Sequence, residues 1–374
     1  MVSIRYFTSI YVSYVPMCLQ KLNNMSSEFL LYKLGMVIFV FAASMVVALY
    51  STYGERKIAA FLQDRIGPNR AGIFGLLQPL ADGIKMFMKE EMLPEASNKW
   101  LFVLGPCLAM MVALTTGVVI PWAKPAMIHG QMFQFQVSDI NIGILYVFGV
   151  VSIGVYGIMI GGWASNNKFA LLGALRASSQ MISYELAMGL SIVALVMTTG
   201  TLSVNEIVAQ QDAGICNFVY QPLGFIIFLI CAFAETNRAP FDLPECESEL
   251  VGGYHTEYSS MKLGFYLFAE YINMFISSAI ISCLYFGGYN FPFAHELEGV
   301  MGENAIRILG FLFLFAKIFG FIFLFMWVRW TLPRFRYDQL MNLGWKILLP
   351  LSILNIVLTG LFTMRNELLH LIIK

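Results

Sequence analysis

The chain has 374 residues, 58% of them hydrophobic and 12% charged, with a formal net charge of zero. Soluble domains carry about a quarter charged residues, so this composition describes a polytopic membrane protein, and the lack of a basic surplus argues against a nucleic-acid partner. Six scattered cysteines (Cys18, Cys107, Cys216, Cys231, Cys246 and Cys283) with no CxxC pair argue against a disulfide framework, a zinc site or an iron–sulfur cluster held by this chain alone.

Residues 1–33 read as an amphipathic or poorly ordered leader, with Pro16, apolar patches and a second possible start at Met25. No cleavable signal is evident in it. A membrane-spanning helix needs ~20 mostly apolar residues. Eight segments qualify: Gly35–Tyr53, Leu101–Ile120, Ile142–Trp163, Met181–Thr199, Leu223–Ala239, Phe265–Gly287, Ala305–Val328 and Ile347–Met364. The predicted fold is therefore all-α, a single eight-helix bundle over 34–364 followed by a short tail, 365–374. Nearly all loop Lys and Arg residues fall in the first, third, fifth and seventh loops, whereas the second, fourth and sixth hold only Lys124. By the positive-inside bias, the odd loops, including the first (54–100) and the fifth (240–264), face the cytoplasm or matrix.

The first loop is too long to be a simple turn. Arg65-Ile-Gly-Pro-Asn-Arg-Ala-Gly reads as a tight turn. Beyond it, Ile73, Leu76, Leu77, Leu80, Ile84 and Phe87 recur at helical spacing, with Gln78, Asp82, Lys85 and Lys89 between them. This pattern predicts an amphipathic helix in the membrane interface, starting or bending at Pro79, which serves as a surface anchor or as one wall of a cavity open to lipid.

The fifth loop concentrates acid. Glu235, Asp242, Glu245, Glu247 and Glu249 follow one another from the end of an apolar helix. Carboxylates in or beside a bilayer are costly and usually mark ion or substrate pathways. Crowded carboxylates also resist joint ionisation, so such a cluster tends to retain protons near neutrality. Counted from the predicted helix ends, Glu185, Glu235 and Glu270 each sit about four or five residues in, roughly 6–8 Å below one interface at ~1.5 Å per residue. Three acids at one depth on consecutive helices suggest a proton-conducting row, against the plainer reading that each pairs with Arg176, Arg238 or Lys262. Lys317 falls near mid-bilayer in the seventh helix and is expected to pair with an acid. The seventh loop has a basic surplus (Arg329, Arg334, Arg336 and Lys346 against Asp338) that complements the acidic fifth loop. That complementarity suggests mutual pairing or a docking face for a soluble partner.

Five motifs occur in order: GERKIAAFLQDRIGPNRAGIFGLLQPLADGIKMFMKE, RASSQMISYELAMGLS, AETNRAPFDLPECESELVGGYHTEY, FAEYINM and WVRWTLPRFRYDQLMNLGWK. From Leu34 to Leu361 the chain resembles the quinone-proximal membrane subunit of respiratory complex I, the H-type subunit of bacteria and subunit 1 of mitochondria. The resemblance implies a non-redox subunit of proton-translocating NADH:quinone oxidoreductase, bound to ubiquinone or menaquinone as substrate. FMN and iron–sulfur clusters would sit on peripheral-arm partners, and other membrane subunits would lie alongside. It also implies that Arg56, Lys57, Arg65, Asp82, Arg238 and Arg329 belong to the quinone tunnel and chamber. Glu185, Glu235, Glu270, Asp242, Glu245, Glu247, Glu249 and Lys317 would belong to the proton-coupling row, with a bacterial inner membrane favoured over a mitochondrial one. Cys246 stands where the family usually has a small residue. The related anchor subunit of energy-converting hydrogenases, which lacks a quinone, is an alternative. A stand-alone secondary transporter would show inverted repeats and broken helices, neither of which is visible.

Overall fold

The computed structural model describes residues 27–128, 131–212, 215–243, 247–292 and 302–373. In chain order the helices are α1 (Ser27–Leu62), α2 (Gln78–Met88), α3 (Lys99–Thr116), α4 (Gly143–Ala164), α5 (Lys168–Thr199), α6 (Val204–Gln210), α7 (Asn217–Tyr220), α8 (Pro222–Glu235), α9 (Glu247–Leu250), α10 (Ser260–Tyr285), α11 (Glu303–Thr331), α12 (Tyr337–Asn342) and α13 (Leu349–Ile373). A π-helical turn, Leu343–Leu348, joins the last two. Each of the eight predicted apolar segments is helical. Seven helices among the described residues are long and apolar enough to cross a membrane, and α8, with 14 residues, is the shorter eighth. At ~1.5 Å per residue α8 covers only about 21 Å, less than the ~30 Å hydrocarbon core, so the turns at its two ends complete the crossing. A small antiparallel hairpin in the second loop, Ala126–Ile128 with Gln131–Phe133, is the only β-pairing among the described residues.

α1 overruns both predicted limits, starting at Ser27 instead of Gly35 and ending at Leu62 instead of Tyr53, and two further helix limits differ for a local reason. α5 starts at Lys168, well before Met181. The Asn167 side chain accepts the Phe169 amide at 2.9 Å as an N-cap. The polar-looking run that follows buries Ala170, Gly173, Ala174 and Ala177. A Cβ on Gly173 would come within 2.7 Å of the Tyr254 amide nitrogen, so the absent side chain lets the fifth loop rest directly on α5. α8 ends at Glu235, short of Ala239, where the chain turns with Asn237 at a left-handed φ of 50°. The Gln180 side chain fastens this turn, donating to Ala234 O at 2.8 Å and Phe241 O at 2.7 Å.

Two tyrosines of the fifth loop and α10 knit the bundle centre together. Tyr266 donates to Gly157 O at 3.1 Å, while Tyr258 lies 3.2 Å from both Phe102 O and Gly161 O and stacks on the Phe102 ring at 4.1 Å. A Cβ on Gly161 would overlap the Tyr266 hydroxyl. Glycine at that position is what allows α3, α4 and α10 to meet.

Candidate functional site: two cavities joined by a buried charge row

A lateral cavity of about 390 Å³ lies between α1, α2 and α10. Leu49, Thr52, Glu55 and Arg56 line it from α1, Pro79, Asp82, Gly83, Lys85 and Met86 from α2, Gly264, Leu267, Phe268 and Tyr271 from α10, and Trp330 from α11. α2 begins beside Pro79, as the sequence predicts, and keeps Leu80, Ile84 and Phe87 exposed on its outer side. That exposed stripe suits a helix lying in the acyl-headgroup boundary. Arg56 pairs with Asp82 at 2.7 Å and Tyr53 donates to Phe74 O at 2.7 Å, which holds this wall to α1. Ser260 Oγ donates to Met86 O at 3.1 Å, and Lys262 pairs with Glu91, which holds it to the start of α10.

The inner end of the lateral cavity is a cluster of buried charge. The Glu55 carboxylate pairs with Arg329 at 2.5 Å and with Arg238 at 3.2 Å, and accepts the Tyr271 hydroxyl at 2.7 Å. The Arg238 guanidinium lies 4.0 Å from the centre of the Tyr271 ring and reaches Glu270 at 3.7 Å. Tyr254 donates to the Glu270 carboxylate at 3.1 Å.

Beyond Glu270 lies a central cavity of about 50 Å³, lined by Glu235, Glu270, Asn237, Asn273, Tyr254, Tyr266, Thr116 and apolar residues of α3, α4 and α10. It has room for a few waters by volume, and its polar walls supply the hydrogen bonds such waters require. Among the described residues no hydrogen bond or ion pair ties Glu235 down, although it is only 7% exposed. Glu185, on α5, lies outside this lining. It sits in mid-α5 against the Ser152 hydroxyl, next to Val151 of the cavity wall.

Of the residues singled out in the sequence, the structure brings Arg56, Asp82, Arg238, Arg329, Glu270 and Glu235 onto one continuous path, with Glu185 at its far end. Asp242 pairs with Arg334 at 3.1 Å, and Phe335 N donates to Pro240 O at 3.0 Å. The fifth and seventh loops therefore do pair with one another. Glu249 pairs with Arg176 at 2.6 Å on the surface. Arg65 bonds Gln63 at 2.7 Å in an exposed turn, and Lys57 lies over the Tyr53 ring at 5.6 Å, so neither reaches the cavities. Glu245 and the side chain of Glu247 lie outside the described residues. Lys317 does not meet a carboxylate among the described residues. Its ammonium donates to the carbonyls of Phe286, Gly288 and Asn290 at 2.7, 2.7 and 2.6 Å, a cage formed where α10 ends.

A model of the NADH dehydrogenase family matches residues 34–360. The chain belongs to this family. It is 70% identical over 333 residues to an H-type NADH-quinone oxidoreductase subunit of Cytophaga hutchinsonii, covering 89% of this chain and 97% of the relative. With the H-type subunit of Flavobacterium psychrophilum it shares 65% identity, covering 90% and 98%. With NADH-quinone oxidoreductase subunit 8 of Rhodothermus marinus it shares 45%, covering 88% and 97%. Family membership places the chain among the membrane subunits of NADH-quinone oxidoreductase.

Three residues at the centre of this site carry little signal in the sequence. Glu55 is followed directly by Arg56 and Lys57, so it passes for the polar end of a span. The clue to it is helix length: α1 continues to Leu62, which puts an acid well inside a helix rather than at its end. Tyr271 and Gln180 carry no charge, and only contacts reveal them.

Proposed function

We propose that the lateral cavity admits a membrane quinone and that the row Arg329–Glu55–Arg238–Glu270 carries the electrostatic consequence of its reduction to Glu235 and Glu185. One observation carries this reading. Glu55 and Tyr271 line the lateral cavity, Glu270 and Glu235 line the central one, and Arg238 bridges the two by contacting both Glu55 and Glu270. An event at the first cavity thus has a route of direct contacts to a loosely held carboxylate in the second. The apolar walls from Leu49, Leu267, Phe268 and Met86 suit an isoprenoid tail, and the Arg56–Asp82 pair and Glu55 provide polar contacts for a headgroup.

In this reading the chain supplies one eight-helix transmembrane domain, 34–364, to a multi-subunit NADH:quinone oxidoreductase of a bacterial inner membrane. Electrons reach the quinone from iron–sulfur clusters on peripheral-arm partners that also hold FMN, and Asp242, Glu245, Glu247 and Glu249 form the chamber-side loop. Quinone reduction takes up protons and changes local charge. Arg238 then shifts its attraction between Glu55 and Glu270, and the changed field alters the protonation of Glu235. The decisive experiment replaces Glu235 with Gln in the assembled complex. Quinone-coupled turnover and proton translocation should fall together while NADH oxidation by an artificial acceptor persists. Normal coupled turnover with full pumping would overturn the proposal.

A further inference from the structure

Glu235 faces a second, outer cavity on its other side, and that cavity differs in kind from the central one. About 40 Å³ in size, it is walled by Val147, Phe148, Ile192, Phe228 and Leu284, and it runs out to Ile120 and Val204 beside the even loops. Among the described residues its polar lining is confined to Glu235 and Ser277 at the inner end and the Cys283 thiol at the far end. The space would hold waters by volume, yet water persists in a cavity only where two to four polar groups bind it, so the apolar middle between these two ends is dry. Phe228 lies seven residues before Glu235 on α8, so the apolar stretch extends about 10 Å along the helix. That is too far for one water to bridge.

We infer that the outer cavity is a hydrophobic barrier that closes the carboxylate row against the opposite compartment, so that Glu235 exchanges protons only with the central cavity. This inference rests on the proposed role of Glu235 in the row. The chemistry is that of a dewetted constriction. An excess proton moves along hydrogen-bonded groups, and a charge in an apolar gap has neither water nor dipoles to stabilise it. Without the barrier, the central cavity would connect the two sides of the membrane through a single carboxylate, and any gradient would discharge through it. The residues that matter are Val147, Ile192 and Leu284, from three different helices that face one another across the gap, and no contact with substrate is required of them.

The test uses the complete complex reconstituted in lipid vesicles with a trapped pH dye, with a pH step imposed in the absence of NADH. Two variants wet the gap: the pair Val147→Thr, close in volume to the native residue, with Ile192→Thr, one carbon smaller, and separately Leu284→Asn. Either should raise passive proton flux at least tenfold over the native complex while detergent-solubilised quinone reduction is unchanged. Adding Glu235→Gln to the leaking variant should abolish the flux. The apolar replacement Leu284→Met should remain tight. Native flux in an assembled polar variant, a leak that survives Glu235→Gln, or a leak in Leu284→Met would each overturn the inference. Glu235→Gln in the otherwise native complex reads the row separately: full pumping there removes the row, whereas a missing leak in the wetted variants removes only the barrier.

Discussion

The inner and outer ends of the bundle each hold a cation, buried in one and half-buried in the other, and they satisfy it in opposite ways. Arg238, near the odd loops, is surrounded by Glu55, Glu270 and the face of Tyr271. Lys317, near the even loops, is held by three neutral carbonyls. A carbonyl has no second protonation state, so the lysine cage is fixed. Carboxylates can each change state, so the arginine cluster responds to its surroundings. The difference separates a structural clip from a relay, and it can be tested by breaking each in turn.

The largest effect is expected for Arg238→Leu. Removing one member of a buried ionic group strands the others and costs about 3–5 kcal/mol, so assembly or thermal stability of the complex should drop sharply and quinone-coupled activity should be lost. Stability and coupled turnover equal to the native complex would show that Glu55 and Glu270 are not held by this arginine. Next comes Lys317→Met, which leaves three half-buried carbonyls without their donor, at up to ~1–3 kcal/mol each where water cannot replace it. Here the melting temperature should fall while the ratio of protons pumped to NADH oxidised stays native. A changed ratio would move Lys317 into the relay and erase the contrast drawn above. Glu55→Gln keeps the shape of the carboxylate and removes its charge, so it should reduce quinone-coupled turnover roughly tenfold, equivalent to about 1.4 kcal/mol at the transition state. Artificial-acceptor activity measured on the same preparation should be unaffected. The smallest effect belongs to Arg176→Gln, whose partner Glu249 is exposed. A surface pair of this kind contributes ~0–1 kcal/mol, so melting temperature and turnover should barely move.

The spans were legible because hydrocarbon demands long apolar runs, and the amphipathic helix was legible because Pro79 and the spacing from Ile73 to Phe87 mark one. The limits of α5 and α8 were less legible, since packing of small residues against the fifth loop and a turn fastened by Gln180 decide them. Those shifts also change the count from the helix ends: Glu235 closes α8, whereas Glu185 and Glu270 lie within longer helices. What joins Glu235 and Glu270 is a shared cavity, which no count along the chain can show. The pairing of oppositely charged loops was visible in composition, but the choice of Arg334 for Asp242 was not. For Lys317 the expectation of an acid followed from charge alone. The carbonyl cage depends on how the end of α10 turns through Gly287 and Gly288, both at positive φ, and appears only in three dimensions.

The glycine-tyrosine junction of α3, α4 and α10 bears on how a signal can cross this protein. With the Tyr266 hydroxyl seated where the Gly161 side chain would be, and Tyr258 bonded at the same level, sliding or tilting of these helices past one another would break the contacts made there. Lever-like motion of these three helices is thereby opposed at that level. Moving a proton or re-aiming a polar side chain breaks none of these contacts, so a signal carried that way passes the junction as current passes through wiring fixed in a frame.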